Sequence, residues 1–140
     1  MTDLISEALK IAKKAHTGQV DKGGNDYLLH PITVALHCDN EKEKIVALLH
    51  DVLEDSDTSL EELSMFDQEI VDAVIAITRN EGQKREEYIE QVSSNEIARK
   101  VKIQDLINNM DLSRIKNVTQ RDLDRIERYK RELKYLKSLD

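Results

Sequence analysis

Three of the four glycines and the one proline of this chain crowd into a single stretch, HTGQVDKGGNDYLLHP, from His16 to Pro31. Glycine and proline are the strongest local breakers of regular structure, so this stretch reads as the chain's clearest loop. Most of what lies outside it keeps helical spacing. Leu4, Ile5, Ala8, Leu9, Ile11 and Ala12 predict a helix over 3–15. Pro31 suits the first turn of a helix that ITVALHCDN continues. A long helix follows from about Lys42 to Glu54, then a short turn at Ser59 to Leu63 with a capping-box pattern, S-L-E-E. Asp67 starts a helix whose apolar face is Ile70, Val71, Val74, Ile75 and Ile77. A polar loop to about Gln83 leads to a short helix through Tyr88 and Ile89. Ser94 to about Leu112 is apolar at helical intervals, and Arg121 to Leu139 is helical with many i,i+4 charge pairs. No segment alternates with period two, so no sheet is expected. The fold class is therefore all-α, a compact bundle.

A length of 140 residues fits one domain, 1–140, with one core. The single cysteine, Cys38, rules out an intramolecular disulfide and suits a reducing cytoplasm. The amphipathic start, MTDLISEALKIAKKAH, lacks the pattern of a signal peptide, and no apolar run approaches the ~20 residues of a membrane span. A net charge of −7 makes nucleic acid a poor partner, because phosphate contacts need a basic surface. A phosphorylated small molecule stays open as a ligand if a metal or a local basic patch supplies positive charge.

Chemistry is suggested first by ALLHDVLEDSD, Ala47 to Asp57. On the helix from Lys42 to Glu54, Ile45, Leu48, Leu49, Val52 and Leu53 form one apolar stripe. His50 with Glu54, and Asp51 with Asp55, are i,i+4 pairs that form a polar face beside it. An exposed acidic helix end is the plain alternative, though acids there oppose the macrodipole. His30 ends the glycine loop directly before Pro31. Asp105 interrupts the apolar pattern of VKIQDLINNM, with Lys102 and Asn109 one turn to either side. Each of these alone is more often a cap or an ion-pair partner than a ligand. Together, two histidines and two aspartates from three elements could encircle one divalent ion such as Mn²⁺, Fe²⁺, Zn²⁺ or Co²⁺. Such an ion generates a nucleophile from water, and Glu54 and Asp55 would be placed to orient that water or move its proton.

The order His…His-Asp…Asp resembles the HD superfamily of metal-dependent phosphohydrolases. More narrowly, AHTGQVDKGGNDYLLHPITVA, ALLHDVLEDSDTSLEEL and KIQDLINNM are similar to the hydrolase domain of the RelA/SpoT alarmone enzymes and their stand-alone small relatives. The resemblance covers about residues 8–115 and leaves a C-terminal packing helix at about 119–139. It implies removal of the 3′-pyrophosphate of guanosine tetra- or pentaphosphate with Mn²⁺. It implies His30, His50, Asp51 and Asp105 as metal ligands, and Glu54 and Asp55 as the water-activating pair. Lys22, Tyr27, Lys102 and Asn109 fall on positions implied to contact the nucleotide.

Departures from the family pattern cluster in the nucleotide-reading positions. Asp21 stands where the family has Arg and Gly23 where it has Ser; Leu106 and Asn108 replace an Arg and a His, and Asp111 replaces a frequent Arg. Two alternatives therefore stay open: the same chemistry on another nucleotide, NADPH with its 2′-phosphate included, or a non-catalytic nucleotide-binding module. His16 reads as a brace for the loop, His37 as a surface or packing histidine and Cys38 as a buried apolar residue. The final helix could also carry a homo-oligomer contact.

Overall fold

The computed structural model describes residues 3–21, 23–113, 115 and 117–139. Its elements are α1 (Leu4–Ala15), α2 (Leu29–Leu36), α3 (Glu41–Leu49), α4 (Val52–Asp55), a 3₁₀ turn (Leu60–Leu63), α5 (Gln68–Ile77), α6 (Arg85–Ser93), α7 (Glu96–Asn109) and α8 (Gln120–Lys137). Among the described residues there is no strand, and the extended chain pairs only at an isolated bridge between Val20 and Asp26 in the glycine loop. No helix of the described residues is long and apolar enough to cross a membrane.

Helix α3 is the centre of the bundle. Its run Ile45, Val46, Ala47, Leu48, Leu49 is buried at every position, so no face of its second half meets water. A helix apolar all round must be covered on all sides, and α1, α2, α5 and α7 do this. Each Ile or Leu buried there stabilises the fold by about 1.5–3 kcal/mol. Helix α7 packs in turn on α2, α5, α6 and α8. Helix α8 turns Ile126, Tyr129, Leu133 and Leu136 inward at intervals of three and four, with Asp122 and Glu132 also buried and most of its other charges outward.

Short polar residues set the helix starts. Asp3 accepts from the N–H of Ile5 at 3.0 Å, Asn40 from Glu43 at 2.9 Å and Asn95 from Ala98 at 2.9 Å. Thr119 and Asp122 form a reciprocal capping box that opens α8. The helix after Pro31 stops at Leu36, sooner than the sequence pattern suggests, because Asn40 already caps α3.

The expected helix over 42–54 is broken at the residues of greatest interest. Helix α3 ends at Leu49, and α4 resumes at Val52. The His50 ring Nδ1 lies 2.5 Å from the carbonyl of Ala47, which the His50 backbone N–H also approaches, at 3.4 Å. A side chain thus competes for the carbonyl at the end of α3. Asp51 then takes φ −108°, ψ −1°. Neighbouring residues of a regular helix point about 100° apart. The break lets His50 Nε2 and Asp51 Oδ2 meet at 3.1 Å.

A candidate metal centre

Four side chains converge where α2, the α3–α4 break and α7 meet. His30 comes from the first turn of α2, His50 and Asp51 from the break, and Asp105 from the middle of α7. Nε2 of His30 lies 2.7 Å from Asp105 Oδ1, and Nε2 of His50 lies 3.3 Å from the same oxygen. Donor atoms of His30, His50 and Asp51 all sit within 4.8 Å of one another, as a metal site requires. His30, His50 and Asp105 are buried, while Asp51 is half-buried at the mouth. Two imidazole nitrogens and two carboxylates suit a borderline divalent ion.

The surrounding hydrogen bonds aim these donors. The His50 Nδ1–H donates to Ala47 O, and the His30 Nδ1–H donates to Asn108 Oδ1 at 2.6 Å. Both rings therefore turn Nε2 toward the cluster, the outer-shell arrangement that fixes metal-binding histidines. The Tyr27 hydroxyl donates to Asp51 Oδ2 at 2.5 Å. The amide of Asn109 donates to Asp105 Oδ1 at 3.1 Å, and the Lys102 ammonium donates to Asp105 Oδ2 at 2.8 Å.

The electrostatics follow from this crowding. Burial works against a charged His50, but the Asp51 and Asp105 carboxylates overcome it and hold its pKa well above the ordinary value. Burial likewise opposes ionised Asp51, yet His50 beside it draws the carboxyl down to about 2. Asp105 is also opposed by burial and is held well below the usual range by Lys102 first, then by the histidines. Protons here occupy the place a cation would take. Glu54 and Asp55 sit one turn on, in α4, with exposed side chains. Partial burial and the nearby Asp51 push both carboxyls up. They do not belong to the donor cluster but stand at its rim.

A cleft of about 370 Å³ adjoins the cluster, lined by Tyr27 and Asn109 with Asp21, Asp111, Arg125 and Tyr129 among its other walls. That volume lies within the range of small-molecule sites. Tyr27 and Asn109 thus face both ways, toward the donors and toward the cleft. Lys102 does not. It is buried at 7% exposure, with its ammonium on Asp105. Lys22 lies outside the described residues.

The departures from the family pattern acquire structural reasons. Asp21 Oδ1 accepts from the N–H groups of Gly23 and Asn25 at 2.8 and 3.0 Å, organising the turn of the glycine loop. In that turn Gly24 holds φ +81°, which a side chain would strain. Leu106 is fully buried core, and Asn108 holds His30. Asp111 accepts from Ser113 N–H at 2.9 Å in the turn that ends α7.

Sequence reasoning missed Asn108 as a partner of His30, although its position three residues after Asp105 puts both on one face of α7. It also missed Arg125 and Tyr129, whose i,i+4 spacing reads as ordinary packing. His16 is buried, its Nδ1 lies 2.9 Å from Gln19 Oε1, and the Gln19 amide donates to the Asp55 carbonyl at 2.9 Å. This chain ties the loop to the acid pair.

The profile described as the HD domain matches residues 8–131. The chain is 40% identical over 80 residues to a guanosine-3′,5′-bis(diphosphate) 3′-pyrophosphohydrolase of Borreliella burgdorferi, 54% of this chain and 12% of that one. It is 38% identical over 80 residues to an enzyme of the same name from Aquifex aeolicus, with the same coverage. It is 37% identical over 83 residues to a GTP pyrophosphokinase of Myxococcus xanthus, 55% of this chain and 11% of that one. The chain thus spans only a small part of the length of these relatives. Among solved structures it superimposes on a metazoan ortholog of SpoT that hydrolyses ppGpp and plays a role in starvation responses. The TM-score is 0.80 over 97% of this chain and 86% of the other, at 24% identity, a likeness of fold. With the profile spanning most of its length, the chain belongs to the HD domain family.

Proposed function

We propose that this protein is a metal-dependent guanosine 3′,5′-bis(diphosphate) 3′-pyrophosphohydrolase, using Mn²⁺ held by His30, His50, Asp51 and Asp105. One observation carries this reading: converging Nε2 and carboxylate donors, each oriented by an outer partner, open beside a nucleotide-sized cleft. Similarity to the pyrophosphohydrolases named above supplies the substrate. When bound, the ion would supply Lewis acidity and lower the pKa of a coordinated water. Glu54 and Asp55, with carboxyls raised by partial burial and by Asp51, would take a proton from the attacking water and return it to the leaving oxygen. Tyr27 keeps Asp51 in place, and Asn109 steadies Asp105 while facing the nucleotide. A small-molecule nucleotide in the cytoplasm is the partner this reading requires.

A second reading keeps the chemistry and changes the nucleotide. Asp21 and Asp111 line the cleft, where carboxylates disfavour a second polyphosphate group. A Mn²⁺-loaded screen across ppGpp, pppGpp, NADPH and common nucleotides tests both. Pyrophosphate release from ppGpp, absent in Asp51→Ala and Glu54→Ala, is the expected result. An enzyme that leaves ppGpp intact while cleaving another nucleotide gives the second reading the substrate. Binding without cleavage of any of them makes the protein a nucleotide-binding module.

A further inference from the structure

Lys102 is a buried cation that points away from solvent. Its residue exposure is 7%, and its ammonium donates to Asp105 Oδ2 at 2.8 Å. Its nitrogen also sits 5.1 Å from the centroid of the Tyr88 ring, whose hydroxyl donates elsewhere, to Ile77 O. The Tyr88 hydroxyl oxygen also interacts with the Lys102 ammonium, so ring and hydroxyl together steady the desolvated cation. Arg85 approaches the Tyr88 ring at 5.2 Å and is held there by Glu132 of α8 through two bonds of 2.8 Å each. These contacts clamp Lys102 between Tyr88 and Asp105.

The two oxygens of Asp105 thereby do different things. Oδ2 belongs to Lys102, while Oδ1 faces His30, His50 and Asn109. A carboxylate divided in this way offers a metal one oxygen. Lys102 also places a fixed positive charge one carboxylate away from the position of a divalent cation. Like charges in a poorly screened interior repel strongly. A cationic neighbour thus both orients the ligand and weakens the hold on the ion.

We propose that Lys102 is a positioning residue that holds Asp105 to one donor oxygen and keeps the metal centre's affinity low enough for its ion to exchange. This rests on the reading of His30, His50, Asp51 and Asp105 as metal ligands. It gives Lys102 a role toward the ion in place of a contact to substrate phosphate.

Two variants separate charge from orientation. Lys102→Met keeps the length without charge or hydrogen bond, and Lys102→Gln keeps a donor for Oδ2 without charge. Mn²⁺ affinity is read from the electron paramagnetic resonance signal of free Mn²⁺ during titration. Both variants are expected to bind Mn²⁺ tighter than wild type, by about tenfold or more. Without metal both are expected to melt below wild type, because Asp105 has lost its buried counter-charge. For a variant that folds only with Mn²⁺ present, loss of Mn²⁺ to excess chelator is timed instead, and a slower loss than in wild type is expected. Unchanged or weaker binding in the folded variants, or unchanged or faster loss to chelator, overturns the proposal. Weak binding in Lys102→Met that Lys102→Gln restores to the wild-type value also overturns it, leaving orientation alone. Wild type that binds no Mn²⁺ overturns the metal reading itself, and the proposal with it.

Discussion

The donor cluster and the cleft beside it are built on opposite principles. In the cluster, buried groups hold one another: His30 is fixed by Asn108, His50 by Ala47 O, Asp51 by Tyr27 and Asp105 by Lys102. In the cleft, the acids bind their own loops, Asp21 to Gly23 and Asn25, Asp111 to Ser113. An interior whose polar groups are mutually satisfied tolerates little change. A wall made of turn residues can be rewritten while the turn survives. The contrast fits the departures at Asp21 and Asp111, which lie in the wall, whereas Asn108 departs inside the cluster and still holds His30.

The largest effect that would break this contrast is expected at Asp51. Asp51→Ala removes a proposed ligand at the mouth, and activity with Mn²⁺ is expected to fall to background in a pyrophosphate-release assay. Retained activity would mean that the cluster is not the centre. Glu54→Ala follows. Its side chain is exposed and outside the cluster, so kcat is expected to drop by about 10²–10⁴-fold, with stability within about 0.5 kcal/mol of wild type. A large loss of Tm would make it structural. Asn108→Ala is smaller: losing the acceptor for His30 Nδ1 should weaken Mn²⁺ by about 10–100-fold, measured by titration. An unchanged affinity would remove Asn108 from the centre.

Acid and base should both destabilise the metal-free protein, each through a different group. His50 is raised in the fold, so its contribution is complete below its unfolded pKa of about 6.5 and is lost as pH rises through the folded value. Asp51 is lowered to about 2, so its contribution is present above its unfolded pKa and is lost as pH falls toward 2. The two belong to one proton-sharing pair and are not added. Denaturant midpoints of the metal-free protein should therefore decline on both sides of mildly acidic pH. Saturating Mn²⁺ should remove the alkaline decline, because the ion replaces the proton. An alkaline decline that persists with Mn²⁺ would separate His50 from the metal.

How much of this was legible before the fold depends on locality. His50, Asp51, Glu54 and Asp55 lie within six residues and announce themselves. His30 and Asp105 stand out more weakly, one before Pro31 and one inside an apolar helix, and the order of motifs that resembles a family strengthens their link to the pair. The break between α3 and α4 was not readable, since it depends on the His50 ring competing for the Ala47 carbonyl. Nor was the burial of Lys102, because helical spacing puts it near Asp105 without saying that Tyr88 covers it. Arg125 and Tyr129 reach the cleft only through the docking of α8 on α7. The helices themselves followed from periodicity, because apolar spacing is a local signal.

The most direct test is a calorimetric titration of the metal-free protein with Mn²⁺, beside Asp51→Ala. One ion per chain bound by wild type and lost in the variant is the predicted result. Equal binding by both proteins would contradict the assignment of the centre to His30, His50, Asp51 and Asp105.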